Sequence, residues 1–207
     1  MLIAKDLILI GAGPGRTQVA GIKIGGDAVV ELCDLALSKS HSDGLNVGVK
    51  ARVTLRNCAL SDNDYHGLDI DGEAQVTLRD CTISRNDWAG LEARGAARVL
   101  LENCAVTENE SDGLEVSDSA QVILENCIVE DNEGTGVIVI HEAGVTVYNS
   151  VIRNNKEWGL AAPLGKCGFM YTARFWGQVV LKNNEIYGNG RGDVCLPDLC
   201  LPEDACE

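Results

Sequence analysis

Asp69, Glu92 and Glu115 recur at a spacing of 23 residues, and carboxylates repeated at a fixed interval are groups that could do chemistry. His66 and Asp71 flank the first of them in the run YHGLDID, residues 65–71. Together they form the candidate site, with His66, Asp69 and Asp71 as candidate catalytic residues and Asp69, Glu92 and Glu115 as candidate metal ligands. Three carboxylates completed by water offer the hard oxygen donors that Ca²⁺ takes, so weak calcium binding is the one cofactor expected. Carboxylates on neighbouring layers also suit acid and base roles on a sugar. Like charges held so close repel and raise each other's proton affinity unless a cation or partner compensates. The competing reading is a solvated acidic face. The chain holds 31 acidic residues, and a second column with the same spacing, Asp64, Asp87, Glu110 and Glu133, dilutes the meaning of the first. His66, Arg94 and His141 are single residues and read as surface groups.

Such a column requires a repeating frame, and the sequence supplies one. Glycine recurs at Gly21, Gly44, Gly67, Gly90, Gly113, Gly136 and Gly159, always 23 residues apart. An apolar residue follows each glycine, and a second apolar or small one comes two positions later, as in Leu68/Ile70 and Leu114/Val116. That period of two marks a strand with one buried face. Two further strand-like pieces complete each repeat, one carrying pairs such as Val76/Leu78 and the other pairs such as Cys81/Ile83. Helical spacing of three or four is absent, and glycine and asparagine fall inside every window. A leucine-rich repeat would need a helical or 3₁₀ segment that the pattern lacks. The expected fold is therefore all-β: a parallel β-helix of about eight coils, three short strands per coil, over residues 1–196. Asparagines at 63, 86, 109, 132 and 155 form a corner ladder able to bond the coils above and below. A second polar column, Asn57, Asp80, Asn103, Asn126 and Asn149, is expected in turns.

LILIGAGPGRT at residues 7–17, followed by repeated N-C-x-[LIV]-x-x-N-x-x-x-G-[LIV] coils, resembles the right-handed β-helix domains of the pectin-lyase-like superfamily. The resemblance implies right-handedness, a secreted or cell-surface setting, and a relation to lyases, hydrolases, epimerases and non-catalytic modules alike. It does not imply one activity. The G-H-G, Asp-Asp and R-I-K signatures of polygalacturonase-like members are missing, as are the W-I-D-H of pectate lyases and the D-P-H-E of epimerases. GAGPG is no dinucleotide fingerprint, since its third glycine would fall on Arg16, and no Gly-Lys precedes Thr17 as a P-loop requires.

Nine cysteines divide into groups. Cys58, Cys81, Cys104 and Cys127 share one inward slot, and a linear column does not converge on the tetrahedron that zinc prefers. They read as small packing residues. Cys33, Cys167, Cys195, Cys200 and Cys206 lie outside the column. The tail CLPDLCLPEDACE reads as a cap, with residues 197–207 set apart from the repeats and a disulfide within the tail or to Cys167 as one option. Residues 161–178 hold an insertion of 11 residues that carries Phe169, Met170, Tyr171, Phe175 and Trp176. It is expected to fold back over Ile138 and Ile140, which interrupt the charged face.

A net charge of −14 excludes nucleic acid and anionic membranes as partners, because a phosphate backbone needs Lys/Arg neutralisation. No apolar run reaches the 18 or so residues of a membrane span. MLIAKDLILIGAG is claimed by the repeat rather than by a signal peptide, its apolar run being broken by Lys5 and Asp6. Met1 falls in the slot of Val47, so an uncapped first coil is expected to favour end-to-end self-association. The functional expectation is a non-catalytic module presenting an acidic surface to a carbohydrate or protein ligand. The alternative is a carbohydrate-active enzyme or carbohydrate-binding protein that uses the Asp69/Glu92/Glu115 face.

Overall fold

The computed structural model describes residues 1–162 and 175–196. Twenty-five short strands stack into three parallel sheets of nine, eight and eight strands. The first sheet holds the strands that follow the repeat glycines, among them Leu45–Val47, Leu68–Ile70, Leu91–Ala93 and Leu114–Val116. The second stacks Arg52–Arg56, Gln75–Arg79, Arg98–Glu102 and Gln121–Glu125, and the third stacks Ala59–Ser61, Thr82–Ser84 and Ala105–Thr107. Register follows the 23-residue period: Leu68 faces Leu91, Val76 faces Val99 and Ile83 faces Val106. Alternation then does the rest. Leu68, Ile70, Leu78 and Ile83 point inward and are fully buried, in a core built almost wholly of aliphatic side chains.

The asparagine ladder closes one corner. Asn86, Asn109 and Asn132 are fully buried, and each Nδ2 donates to the Oδ1 of the next at 2.9 Å. The same Oδ1 atoms accept a backbone N–H from the coil before, as in Asn86 N to Asn109 Oδ1 at 3.2 Å. The repeat glycine follows from this corner: a Cβ on Gly90 would sit 2.8 Å from both Asn109 Nδ2 and Gly113 O. The second polar column has a different cause. Asn57, Asp80, Asn103, Asn126 and Asn149 all hold φ between 48° and 55°, a left-handed turn that asparagine and aspartate tolerate best after glycine.

The cysteine column is packed as expected, with Cys58, Cys81, Cys104 and Cys127 at 1–2% exposure and all free. Each thiol donates to the carbonyl two residues earlier, Cys104 to Glu102 O at 3.3 Å. Ser150 continues the slot and makes the same bond to Tyr148 O at 2.7 Å. The slot thus selects a small side chain with one donor. Cys104→Ala is expected to cost about 1–3 kcal/mol in chemical unfolding, and Cys104→Ser less. Stoichiometric zinc that disappears in Cys104→Ala would contradict this role. Cys195 is disulfide-bonded, while Cys167, Cys200 and Cys206 lie outside the described residues.

Three expectations need correction or completion. Ile3, not Met1, pairs with Ile24 in the first sheet, so the first coil is two residues short. The insertion has the counted length: Val145 faces Val179 and Val147 faces Leu181, 34 residues on rather than 23. Phe175 bridges to His141 and joins the core at 5% exposure, but Trp176 stays 66% exposed. Among the described residues of the insertion Phe175 is buried and Trp176 is not; Phe169, Met170 and Tyr171 lie outside the described residues. Ile138, which the insertion was expected to cover, is buried at 4% exposure.

Candidate functional site: a carboxylate groove beside an aromatic pair

The first sheet brings the predicted carboxylates into line. Asn46, Asp69, Glu92 and Glu115 are direct register neighbours on its outward face, one per coil. The three carboxylates line a groove of about 490 Å³ with Asp43, Tyr65, His66, Trp88 and Arg94. Ile138 follows Glu115 in the same column and ends the charged run.

Arg94, expected only as a surface group, is part of this site, and His66 lies beside the column where the candidate site placed it. Arg94 leaves the strand Leu91–Ala93 two residues after Glu92 and turns back across the column. Its Nη2 lies 2.9 Å from Asp69 Oδ1, its Nη1 2.5 Å from Glu92 Oε2, and its Nε 3.9 Å from Asp71 Oδ2. Asn46 Nδ2 also donates to Asp69. His66 is buried in the turn before the strand, with its backbone N–H on Asp43 Oδ1 at 3.2 Å and its Nε2 3.3 Å from Glu92 Oε2. Its buried Nδ1 has no protein partner among the described residues. Asp71 is the most exposed member and caps its own turn through Gly72 N.

Burial dominates the electrostatics. It pushes the Asp69 carboxyl up against the pull of Arg94. Burial also raises the Glu115 carboxyl, and the charges of Glu92 and Asp112 add to the effect. Asp112 lies in the turn just before the strand of Glu115, where it accepts the Thr135 N–H at 2.5 Å. Its removal from solvent lifts it to about 6. The groove therefore holds two carboxylates ion-paired to Arg94, Asp69 and Glu92, next to Glu115, whose carboxyl burial pushes above its ordinary value.

Sequence reasoning passed over two residues that matter here. Tyr65 and Trp88 also stand 23 apart, and the repeat stacks them on successive coils with ring centroids 5.6 Å apart and planes inclined by 14°. Both are exposed, at 47% and 53%. The His66 ring meets Trp88 edge-on at 5.6 Å. The signal was available: two aromatics in one outward slot, in a chain with only 4% aromatic residues. The second acidic column carries no comparable apparatus, since Asp64 pairs with His41 and Glu133 with Lys156 at the surface.

Three parallel sheets, an asparagine ladder and a lined groove define a β-helix solenoid with an open groove on its first sheet. The family model described as right handed beta helix region matches residues 20–175, and the chain belongs to that family. Its handedness and pectin-lyase-like fold are thereby fixed, as the resemblance implied. Among solved structures, the periplasmic alginate epimerase AlgG aligns at 13% identity and TM-score 0.67, over 86% of this chain and 48% of that one. The A-module of the Azotobacter vinelandii mannuronan C-5 epimerase AlgE6 aligns at 18% identity and TM-score 0.67, over 95% and 65%. Pectate lyase Pel9A aligns at 14% identity and TM-score 0.56, over 91% and 70%. The chain thus spans about half of the first of these proteins and about two thirds of the others. No curated protein matches it.

Proposed function

We propose that the groove of the first sheet binds an uncharged saccharide chain, making the protein a ligand-presenting module of carbohydrate-active type. The observation that carries this reading is the stacked Tyr65–Trp88 pair, exposed at the rim of a groove filled with hydrogen-bonding groups. Pyranose rings have apolar faces and polar edges. A flat aromatic surface removes the faces from water, while carboxylates, Arg94 and Asn46 bond the hydroxyl edges. Four carboxylates against one guanidinium disfavour uronate chains. The named neighbours, an alginate epimerase, a mannuronan epimerase and a pectate lyase, support a carbohydrate ligand at the level of fold. The disulfide at Cys195 and the periplasmic neighbour support an oxidising, extracytoplasmic setting.

A second reading, hydrolysis in the same groove, is favoured by the unequal environments of Glu92 and Glu115. Two carboxylates in direct register on adjacent coils, one ion-paired and one raised by burial, can divide acid and base roles on a glycosidic bond. On that reading Glu115→Gln ends product release yet leaves saccharide binding in place.

Calcium at Asp69, Glu92 and Glu115 remains a weak-site proposal, because Arg94 already neutralises two of the three ligands. Titration is expected to give a dissociation constant no tighter than about 10⁻⁴ M. Submicromolar affinity lost in Glu92→Gln would overturn that expectation. A glycan-array and polyuronide-cleavage screen, run with and without Ca²⁺, tests the main reading. Uncharged glycans should bind without calcium. Exclusive binding or cleavage of uronate polymers would refute it.

A further inference from the structure

The outer face of the second sheet carries its charges in blocks along the stack. In one column Arg56, Arg79, Glu102 and Glu125 follow one another, two cations and then two anions, in direct register. In the middle column Thr54 and Thr77 are followed by Leu100 and Ile123. A groove of about 490 Å³ lies across the boundary between the blocks, and Ile123 on its floor is 41% exposed. Leu100 beside it is half-buried, so the apolar strip is short and the charge blocks decide what can cover it.

We propose that this face pairs with the same face of a second copy of the chain, as an antiparallel dimer. The two-fold axis would run parallel to the strands, between Gln75–Arg79 and Arg98–Glu102. That operation preserves position along each strand and reverses the order of the coils. Arg79 and Glu102 pair within the chain, as do Arg56 and Glu31; across the axis Arg79 also meets Glu102 of the second copy, and Arg56 meets Glu125. The middle columns place Thr77 against Leu100 and Thr54 against Ile123, which buries the aliphatic pair at the centre. The remaining column pairs Arg52 with Gln121 and Gln75 with Arg98, so no like charges meet. An axis turned by 90° would set Arg52 against Arg56. The first sheet cannot pair in this way, because its central column of Asp69, Glu92 and Glu115 would oppose itself. A self-complementary patch is what an isologous contact demands, and Glu125 makes no ion pair within its own chain among the described residues. One flat sheet face is a small interface, so the dimer is weak and salt-sensitive.

Sedimentation equilibrium at about 100 μM protein, in low and high salt, tests the pairing. The wild type should dimerise and dissociate as salt rises. Ile123→Arg, remote from the internal Arg79–Glu102 pair, should be monomeric with an unchanged melting temperature. Arg79→Glu should also be monomeric, and Arg79→Glu with Glu102→Arg in one chain should dimerise again. A wild type that stays monomeric at this concentration would overturn the proposal, as would a folded double variant that fails to recover. Neither result bears on the saccharide groove, which faces away on another sheet.

Discussion

Asn109→Ala is expected to lower stability by about 3–5 kcal/mol, more than a typical core truncation of similar size. The side chain makes four hydrogen bonds in a fully buried corner. Its loss leaves the buried Asn86 backbone N–H without its acceptor, takes one of the two bonds of Asn86 Nδ2, and removes the donor to Ile83 O and Asn132 Oδ1; an orphaned buried group costs about 1–3 kcal/mol. The methyl group of alanine also leaves a void that the stacked coils cannot close. Asn103→Gly is the control. That residue holds φ 55° in an exposed turn, where glycine is equally at ease, so the change should be within about 0.5 kcal/mol. Urea unfolding of both variants measures the contrast. A loss below about 1 kcal/mol for Asn109→Ala would show that the ladder contributes little beyond turn geometry.

Acidification should stabilise the protein, and Asp112 should account for much of the gain. Its carboxyl is raised from 3.8 to about 6 by burial, so the folded state binds a proton that the unfolded state releases. Between about pH 4 and 6 stability therefore falls as pH rises, and above pH 6 the full penalty of about 2–3 kcal/mol applies. Asp69 and Glu115, also raised by burial, act in the same direction. Asp112→Asn keeps an acceptor for Thr135 N–H and removes the charge. It should raise the melting temperature at pH 7 and 8, leave it nearly unchanged at pH 4, and flatten the profile between. A variant less stable than wild type at pH 8 would mean that the ionised form is well accommodated.

The fold was legible because every coil repeats the same demand. A glycine beside a buried amide, an apolar alternation and a left-handed asparagine each recur at 23 residues, and local and long-range signals agree. The carboxylate column was legible for the same reason, since register follows directly from the period. The part played by Arg94 was not, and for His66 only its place beside the column was, because contacts depend on where a long side chain and a turn residue lean once the strands are stacked. Neither direction is encoded in spacing. Tyr65 and Trp88 could have been found by applying the period to outward turn slots, where only two coils carry rings. Ile3 escaped the count because the first coil is shorter than the rest. The register of the insertion was readable from Val179 and Leu181, whereas the burial of Phe175 and the exposure of Trp176 depend on a single isolated bridge.

The central claim is that the aromatic pair and the carboxylate groove form one saccharide site. Calorimetric titration of wild type and Trp88→Ala with an uncharged oligosaccharide selected from the array tests it most directly. Trp88 is 53% exposed, so its removal should leave the melting temperature unchanged. Binding should weaken at least tenfold, about 1.4 kcal/mol, through loss of the stacking surface. Equal affinity in Trp88→Ala and wild type would contradict the account.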